Sequence, residues 1–179
     1  MNKHSVPSSY FGKNKCNTSN KTDIMTPAVN ILKKARIPYV LHQYDHDSDC
    51  SSYGMEAAEK LGMDPERVYK TLVTETDSGN MVVSIIPVSA MLDLKALAKI
   101  VKAKKMQMAD KEKVERTTGY ILGGVSPLGQ KKRLKTVIDG SSKNYGTIFI
   151  SGGRRGLDIE LAPDKLAGLL SAVFAFISK

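Results

Sequence analysis

Lys70 has a residue type and a setting that call for a chemical explanation. It stands in the run Arg67-Val68-Tyr69-Lys70-Thr71-Leu72-Val73, whose β-branched and aromatic content predicts a strand after Gly62 and Pro65. Side chains alternate along a strand, so Val68, Lys70 and Leu72 share one face, and the lysine falls between apolar neighbours on a core-facing side. Burying a lone ammonium is costly. Lys70 is therefore either an edge-strand lysine reaching water or a cation held inside for a purpose. Asp158 shares a strand face with Glu160 and lies opposite Ile159. Turned inward near Lys70, it would form an ion pair with a structural or a catalytic role.

Two glycine-rich segments are the other candidates. Tyr120 to Gly129 contains Gly123-Gly124-Val125-Ser126-Pro127, where backbone N–H groups unshielded by side chains could cradle a phosphate or polarise a carbonyl oxygen. The same residues also suit a tight turn between strands. The segment matches neither the Walker A nor the dinucleotide fingerprint. Gly152-Gly153-Arg154-Arg155-Gly156 places two arginines on an expected turn. Their planar forks suit RNA phosphates, the alternative being a solvated hairpin tip. Lys131-Lys132-Arg133 adds a basic run after the first loop.

His42, His46 and Cys50, interleaved with Asp45, Asp47 and Asp49, have the side chains of metal ligands. Their segment reads as strand and loop, so the i, i+4 spacing does not align them, and no second cluster completes a tetrahedral set. No metal and no cofactor is expected. The G-x-S-x-G elbow is absent, and no protein nucleophile is well placed.

These groups need a frame to position them. Thr26 caps a helix with Pro27 at its first position and Ala28, Ile31, Leu32 and Ala35 as its stripe, ending before Pro38. Ile37 to Tyr44 reads as a strand, and Met55 to Leu61 as a short helix closed by Gly62. The Lys70 strand turns at Asp77-Ser78-Gly79-Asn80 into Met81 to Val88, a hairpin whose second strand is apolar on both faces. Asp93 caps a helix that carries Lys95, Lys99 and Lys102 outward, with Lys104 and Lys105 just beyond. A short strand follows at Lys105 to Met108, and Asp110 caps a helix ending at Gly119. Strands are expected at Lys135 to Ile138, Thr147 to Ser151 and Leu157 to Leu161, then a last helix from Pro163 through Ile177. Hairpins with intervening helices and no regular βαβ alternation predict one α+β domain around a mixed, curved, half-barrel sheet flanked by helices.

Composition narrows the partners. The chain has 179 residues, 41% hydrophobic and 25% charged, with a formal net charge of +9. That excess favours polyanions, nucleic acid before membrane, since no basic amphipathic helix with a strong aromatic face supports a membrane surface. Aromatics are only 6% and Trp is absent, which weakens a stacking platform for long single strands. No apolar run is long enough to span a bilayer, and no apolar leader opens the chain. Two cysteines, Cys16 and Cys50, without C-x-x-C spacing, suit a reducing cytoplasm. Residues 1–24 are rich in Ser, Asn and Lys and are expected to form an unfolded extension before a domain over 25–179.

The order of motifs across that domain resembles the YbaK/EbsC family, bacterial Cys-tRNA(Pro)/Cys-tRNA(Cys) deacylases related to the editing domain of prolyl-tRNA synthetases. The resemblance is carried by Thr26-Pro27-Ala28, His42-x-Tyr44-x-His46-Asp47, Tyr69-Lys70-Thr71-Leu72, Gly123 to Gly129, and Ser151-Gly152-Gly153-Arg154-Arg155-Gly156-Leu157-Asp158-Ile159-Glu160. Tyr53 departs from it, standing where relatives often carry Phe. The resemblance implies hydrolysis of cysteine mischarged onto tRNA(Pro), often alongside prolyl-tRNA synthetase, with the substrate's own thiol attacking the ester. Lys70 would orient the ester or the terminal adenosine phosphate, and Gly123 and Gly124 would present N–H groups to the carbonyl. Tyr44 and Tyr53 would line the pocket, and Ser151 and Asp158 would complete its polar wall. Thr71, Ser126, Arg154 and Arg155 would add substrate contacts. The competing readings are a deacylase for another amino acid, such as alanine on tRNA(Pro), and a non-catalytic RNA-binding module.

Overall fold

A computed structural model describes residues 24–50 and 52–179. The expected unfolded extension, with Cys16, lies outside the described residues except for Ile24.

The chain opens with α1 (Pro27–Ala35), where the Thr26 hydroxyl accepts the Val29 N–H and Pro27 supplies a preset φ. β1 (Val40–Gln43) follows. It is shorter than expected because the Ile37 N–H still closes the helix on Leu32, and the Tyr44 N–H turns to Gly156. Next come α2 (Tyr53–Leu61), stopped by Gly62 at φ +63°, and the hairpin of β2 (Val68–Thr76) with β3 (Met81–Pro87). α3 (Leu94–Val101), β4 (Met106–Met108) and α4 (Lys111–Thr118) match their predicted caps at Asp93, Asp110 and Gly119.

β5 (Lys135–Asp139), β6 (Ile148–Arg154) and β7 (Leu157–Leu161) complete the sheet's middle. The expected five-residue turn is only Arg155-Gly156, because β6 continues through Gly152 and Gly153 with a register shift between Ser151 and Arg154. A bulge of this kind bends its strand and re-aims the side chains beside it. The last helix is also shorter than its apolar periodicity suggests. α5 (Pro163–Leu170) ends at Ser171, in the left-handed region at φ 51°. Val173–Ala175 instead forms β8, parallel to β5. The switch is fixed by Asp139, whose Oδ2 accepts the N–H groups of Ile177 and Ser178 at 2.9 and 3.0 Å.

The strands form one mixed sheet in the order β1-β7-β6-β2-β3-β5-β8, with β4 pairing β2 off this path. On one face α1, α4 and α5 bury the main core, in which Leu32, Val114 and Leu166 meet Tyr69, Val73, Ile85 and Ile159. On the other face α3 sets Leu97 on Val82, Ile86 and Val137. Beside it α2 sets Ala57 and Ala58 on Val68, Val88 and Phe149. One edge of β2 is shared. β6 pairs only with Val68 and Tyr69, and β4 only with Thr74 to Thr76. The backbone of Lys70 to Leu72 thus lacks a strand partner on that side, and the sheet is split where the lysine stands.

Candidate active site

The split opens a cleft of about 330 Å³. Its apolar floor is Val68, Val88 and Leu157, and its walls come from the start of α2, the 122–125 loop, the bulge of β6, and β7. Lys70 points into it from β2. Its ammonium donates to the Ala90 carbonyl at 2.7 Å and the Val88 carbonyl at 3.2 Å, and burial holds its pKa below the ordinary lysine value. The half-buried ammonium is thus held by backbone carbonyls at the cleft. Its holders are carbonyls beyond the end of β3, which no motif announces.

The expected ion pair with Asp158 is not formed, although both residues line the cleft. Asp158 sits on β7 across from Ser151 on β6 and His42 on β1. It is 5% exposed, its Oδ2 has no hydrogen-bond partner among the described residues, and burial pushes its carboxyl up to about 7. The Thr71 hydroxyl is likewise buried without a partner. Both lie in the wall of the same cleft, where unmet polar groups are free for a bound molecule. Ser151 also lines it, its Oγ accepting the Gly153 N–H at 3.3 Å.

Tyr44 and Tyr53 stand on the α2 side. Burial, with Asp158 and Glu56 nearby, raises the Tyr44 phenol well above its usual range. The guanidinium of Arg155 lies 4.5 Å from the Tyr53 ring centroid and donates to the Leu122 carbonyl at 3.0 Å. Arg155 thereby braces the rim, while Arg154 lines the cleft itself. Gly123 has φ +86°, and a Cβ there would stand 2.8 Å from the Tyr53 ring. That contact leaves room for glycine alone.

The two glycines of this loop are not equivalent. Gly124 donates its N–H to the Ile121 carbonyl at 3.0 Å, closing a turn, so it is not available to a substrate carbonyl as expected. Gly123 lines the cleft and Gly124 does not. Ser126 also lies outside the cleft. It is fully buried, and its Oγ accepts the Leu128 N–H at 3.3 Å to shape the loop.

The histidines diverge. His42 bonds Glu160 at 2.9 Å and His46 bonds Glu56 at 2.8 Å, and Glu56 also accepts the Asp47 N–H at 2.6 Å. Among the described residues no three His, Cys, Asp or Glu side chains converge as a metal would require. Gly54 was not anticipated from sequence. A Cβ on it would meet Val88 Cγ1 at 2.5 Å, so the glycine lets the first turn of α2 close onto the cleft floor. Its one sequence signal is its place just after Ser51-Ser52-Tyr53, at the entry to a helix.

A split mixed sheet with a clamped cation and an unpartnered carboxyl in one cleft, lined by no histidine or cysteine among the described residues, makes this a mixed α/β domain with a polar-walled cleft. The pattern of the aminoacyl-tRNA editing domain matches residues 48–169, and the chain belongs to that family. It is 39% identical over 158 residues to the Enterococcus faecalis protein named "Putative Cys-tRNA(Pro)/Cys-tRNA(Cys) deacylase EbsC", covering 88% of this chain and 96% of the relative. Two solved structures share the fold. "Hypothetical protein APE2540" superposes with a TM-score of 0.77 at 23% identity, covering 86% of this chain and all of that one. "A putative trans-editing enzyme for prolyl tRNA synthetase" does so with a TM-score of 0.71 at 22% identity, covering 87% and 99%.

Proposed function

We propose that the protein is a trans-editing deacylase that removes cysteine from mischarged Cys-tRNA(Pro), acting alongside prolyl-tRNA synthetase. The observation that carries this reading is the cleft's pairing of a clamped cation with an unpartnered carboxyl, with no histidine or cysteine beside them among the described residues. The name of the Enterococcus relative supports the substrate.

An ammonium has three protons to donate. Two of those on Lys70 are used by Val88 and Ala90, and the third is free to hold the substrate's ester or terminal phosphate. Gly123 and Thr71 have donors on the same walls. Among the described residues no cysteine lines the cleft and no histidine stands there to activate its hydroxyls, and the cysteine thiol of the substrate attacks its own carbonyl carbon. The new S–C bond closes a thiolactone, the C–O bond to the ribose breaks, and the ribose oxygen takes the proton that the thiol gives up. Asp158, whose carboxyl burial pushes up to about 7, carries that proton. The enzyme's share is positioning and charge stabilisation, and the reaction balances without a cofactor.

Lys70→Ala should abolish deacylation of Cys-tRNA(Pro) while the circular dichroism spectrum is kept. Undiminished deacylation by that variant refutes the reading. A panel of aminoacyl-tRNAs, run with and without prolyl-tRNA synthetase, separates cysteine from alanine specificity and catalysis from binding alone.

A further inference from the structure

The cleft accounts for the 3′ end of a tRNA and leaves most of the chain's positive charge unexplained. α3 continues from the cleft in a definite direction. In the loop just before it, the Ala90 carbonyl holds Lys70. Just past its far end, the Lys104 N–H reaches Asp77 and the Asp77 N–H reaches the Lys105 carbonyl, at the turn of the β2–β3 hairpin. The helix therefore runs back along β3, on the sheet face that carries Lys70. Lys70 and Ile86 are cross-strand partners, and Ile86 packs in the cluster of Leu97.

Lys95, Lys99 and Lys102 follow at i, i+4 and i+7, a spacing that puts them on one side of a helix, about 10 Å from first to last. All three are exposed. The row leads into a groove of about 650 Å³ where Lys102 and Lys104 face Arg133 and Lys135. Arg133 is held there by the Ser171 hydroxyl at 2.7 Å and the Leu169 carbonyl at 3.4 Å. Among the described residues no ion pair engages any of these six cations. The groove's one carboxylate, Asp77, is occupied by the Lys104 N–H, and at the other end Asp93 caps the helix through the N–H groups of Lys95 and Ala96. Six residues of strand separate Lys70 from Thr76 at the groove, about 20 Å at ordinary strand rise.

We propose that the Lys95-Lys99-Lys102 row and the groove at its end form the docking track for the phosphate backbone of the RNA whose 3′ end enters the Lys70 cleft. The identity of what enters rests on the deacylase reading. The cations themselves point to a polyanion with charges repeated along a line, as an RNA strand has.

The test compares two triple variants of equal charge in the full chain. Lys95→Gln, Lys99→Gln and Lys102→Gln together should weaken binding of uncharged tRNA about tenfold or more near 0.1 M salt, and flatten the plot of log affinity against log salt by about 3. Lys34→Gln, Lys111→Gln and Lys165→Gln, exposed residues of helices on the other face, should change affinity less than about twofold by the same relation. In deacylation the track variant should raise KM for the aminoacyl-tRNA at unchanged kcat, and cleave an aminoacyl-adenosine, which lacks the backbone, at the native rate. Equal loss in both variants, or loss in neither, overturns the proposal, as does loss of synthetase binding with tRNA binding intact. If the native protein deacylates nothing in the panel, the deacylase reading fails, while the binding comparison still decides the track.

Discussion

Asp158 and Glu160 stand two residues apart on β7, on one face of one strand, and the fold treats them in opposite ways. Glu160 accepts from the Thr147 hydroxyl at 2.6 Å and bonds His42 at 2.9 Å, with Arg67 at 3.5 Å. The Thr147 bond foremost, then His42 and Arg67, hold its carboxyl below the usual glutamate range against the opposing pull of burial. Asp158 is left with an unmet oxygen and a carboxyl near 7. Asp139 shows how fully this chain can satisfy a buried carboxylate. Burial alone would raise it, but the N–H groups of Ser141, Ile177 and Ser178 together keep it low. Of these three buried or half-buried carboxyls, Asp158 is the one left with an unmet oxygen at the cleft, and the proposed reaction uses that group.

The contrast is open to direct attack, and removing the satisfied carboxylate should have the largest effect. Asp139→Ala orphans three N–H groups and frees the strand that replaces the end of the last helix. It should destabilise the fold by about 4 kcal/mol, at the ordinary cost of unmet buried donors, read by urea denaturation. Stability within about 1 kcal/mol of native would show that β8 holds without it. Asp158→Asn should do the reverse, lowering deacylation about a hundredfold, as loss of a positioned proton carrier does, with stability equal to or above native at pH 8. A destabilised Asp158→Asn would make Asp158 a structural group and dissolve the contrast. Glu56→Gln keeps the size and removes the charge that His46 and the Asp47 N–H share. It should cost about 1–2 kcal/mol, the scale of a charged hydrogen bond, and raise proteolysis between Asp45 and Tyr53.

Much of this was legible in the chain because local rules and the fold agree. Thr26-Pro27, Asp93, Asp110 and Gly119 each mark a helix end that is used. The all-apolar Met81 to Ile86 run, broken by Ser84 alone, is a strand covered on both faces. The misreadings occur where distant contacts outweigh local pattern. The stripe Leu166, Leu169, Leu170, Val173 fits a helix until Asp139, on another strand, captures the backbone after it. Gly123-Gly124 looks like a pair of equal donors until a turn to Ile121 uses one of them. The site followed the same division. Lys70, Tyr44, Tyr53, Thr71, Ser151, Arg154 and Asp158 are brought to one cleft. The ion pair expected between two of them is replaced by carbonyls from residues 88 and 90, whose approach depends on the loop after β3 and leaves no trace in residue type.

The sharpest test is pH, because the carboxylates must push stability in opposite directions with it. Asp158 has a folded value of about 7 against an ordinary 3.8. Between those values the folded state keeps a proton that the unfolded state has released, so this group's contribution falls as pH rises from about 4 to about 7. Glu160, Glu56 and Asp139 have folded values below their ordinary ones. Their contributions are complete above those ordinary values and are lost as pH falls through the folded ones. Thermal melts of the native protein and Asp158→Asn, taken from pH 4 to pH 8, should therefore separate progressively, the variant gaining on the native protein up to about pH 7 and running parallel above it. Curves parallel across the whole range would mean that Asp158 titrates like an ordinary aspartate, and its unmet oxygen would then be no sign of a reserved catalytic group.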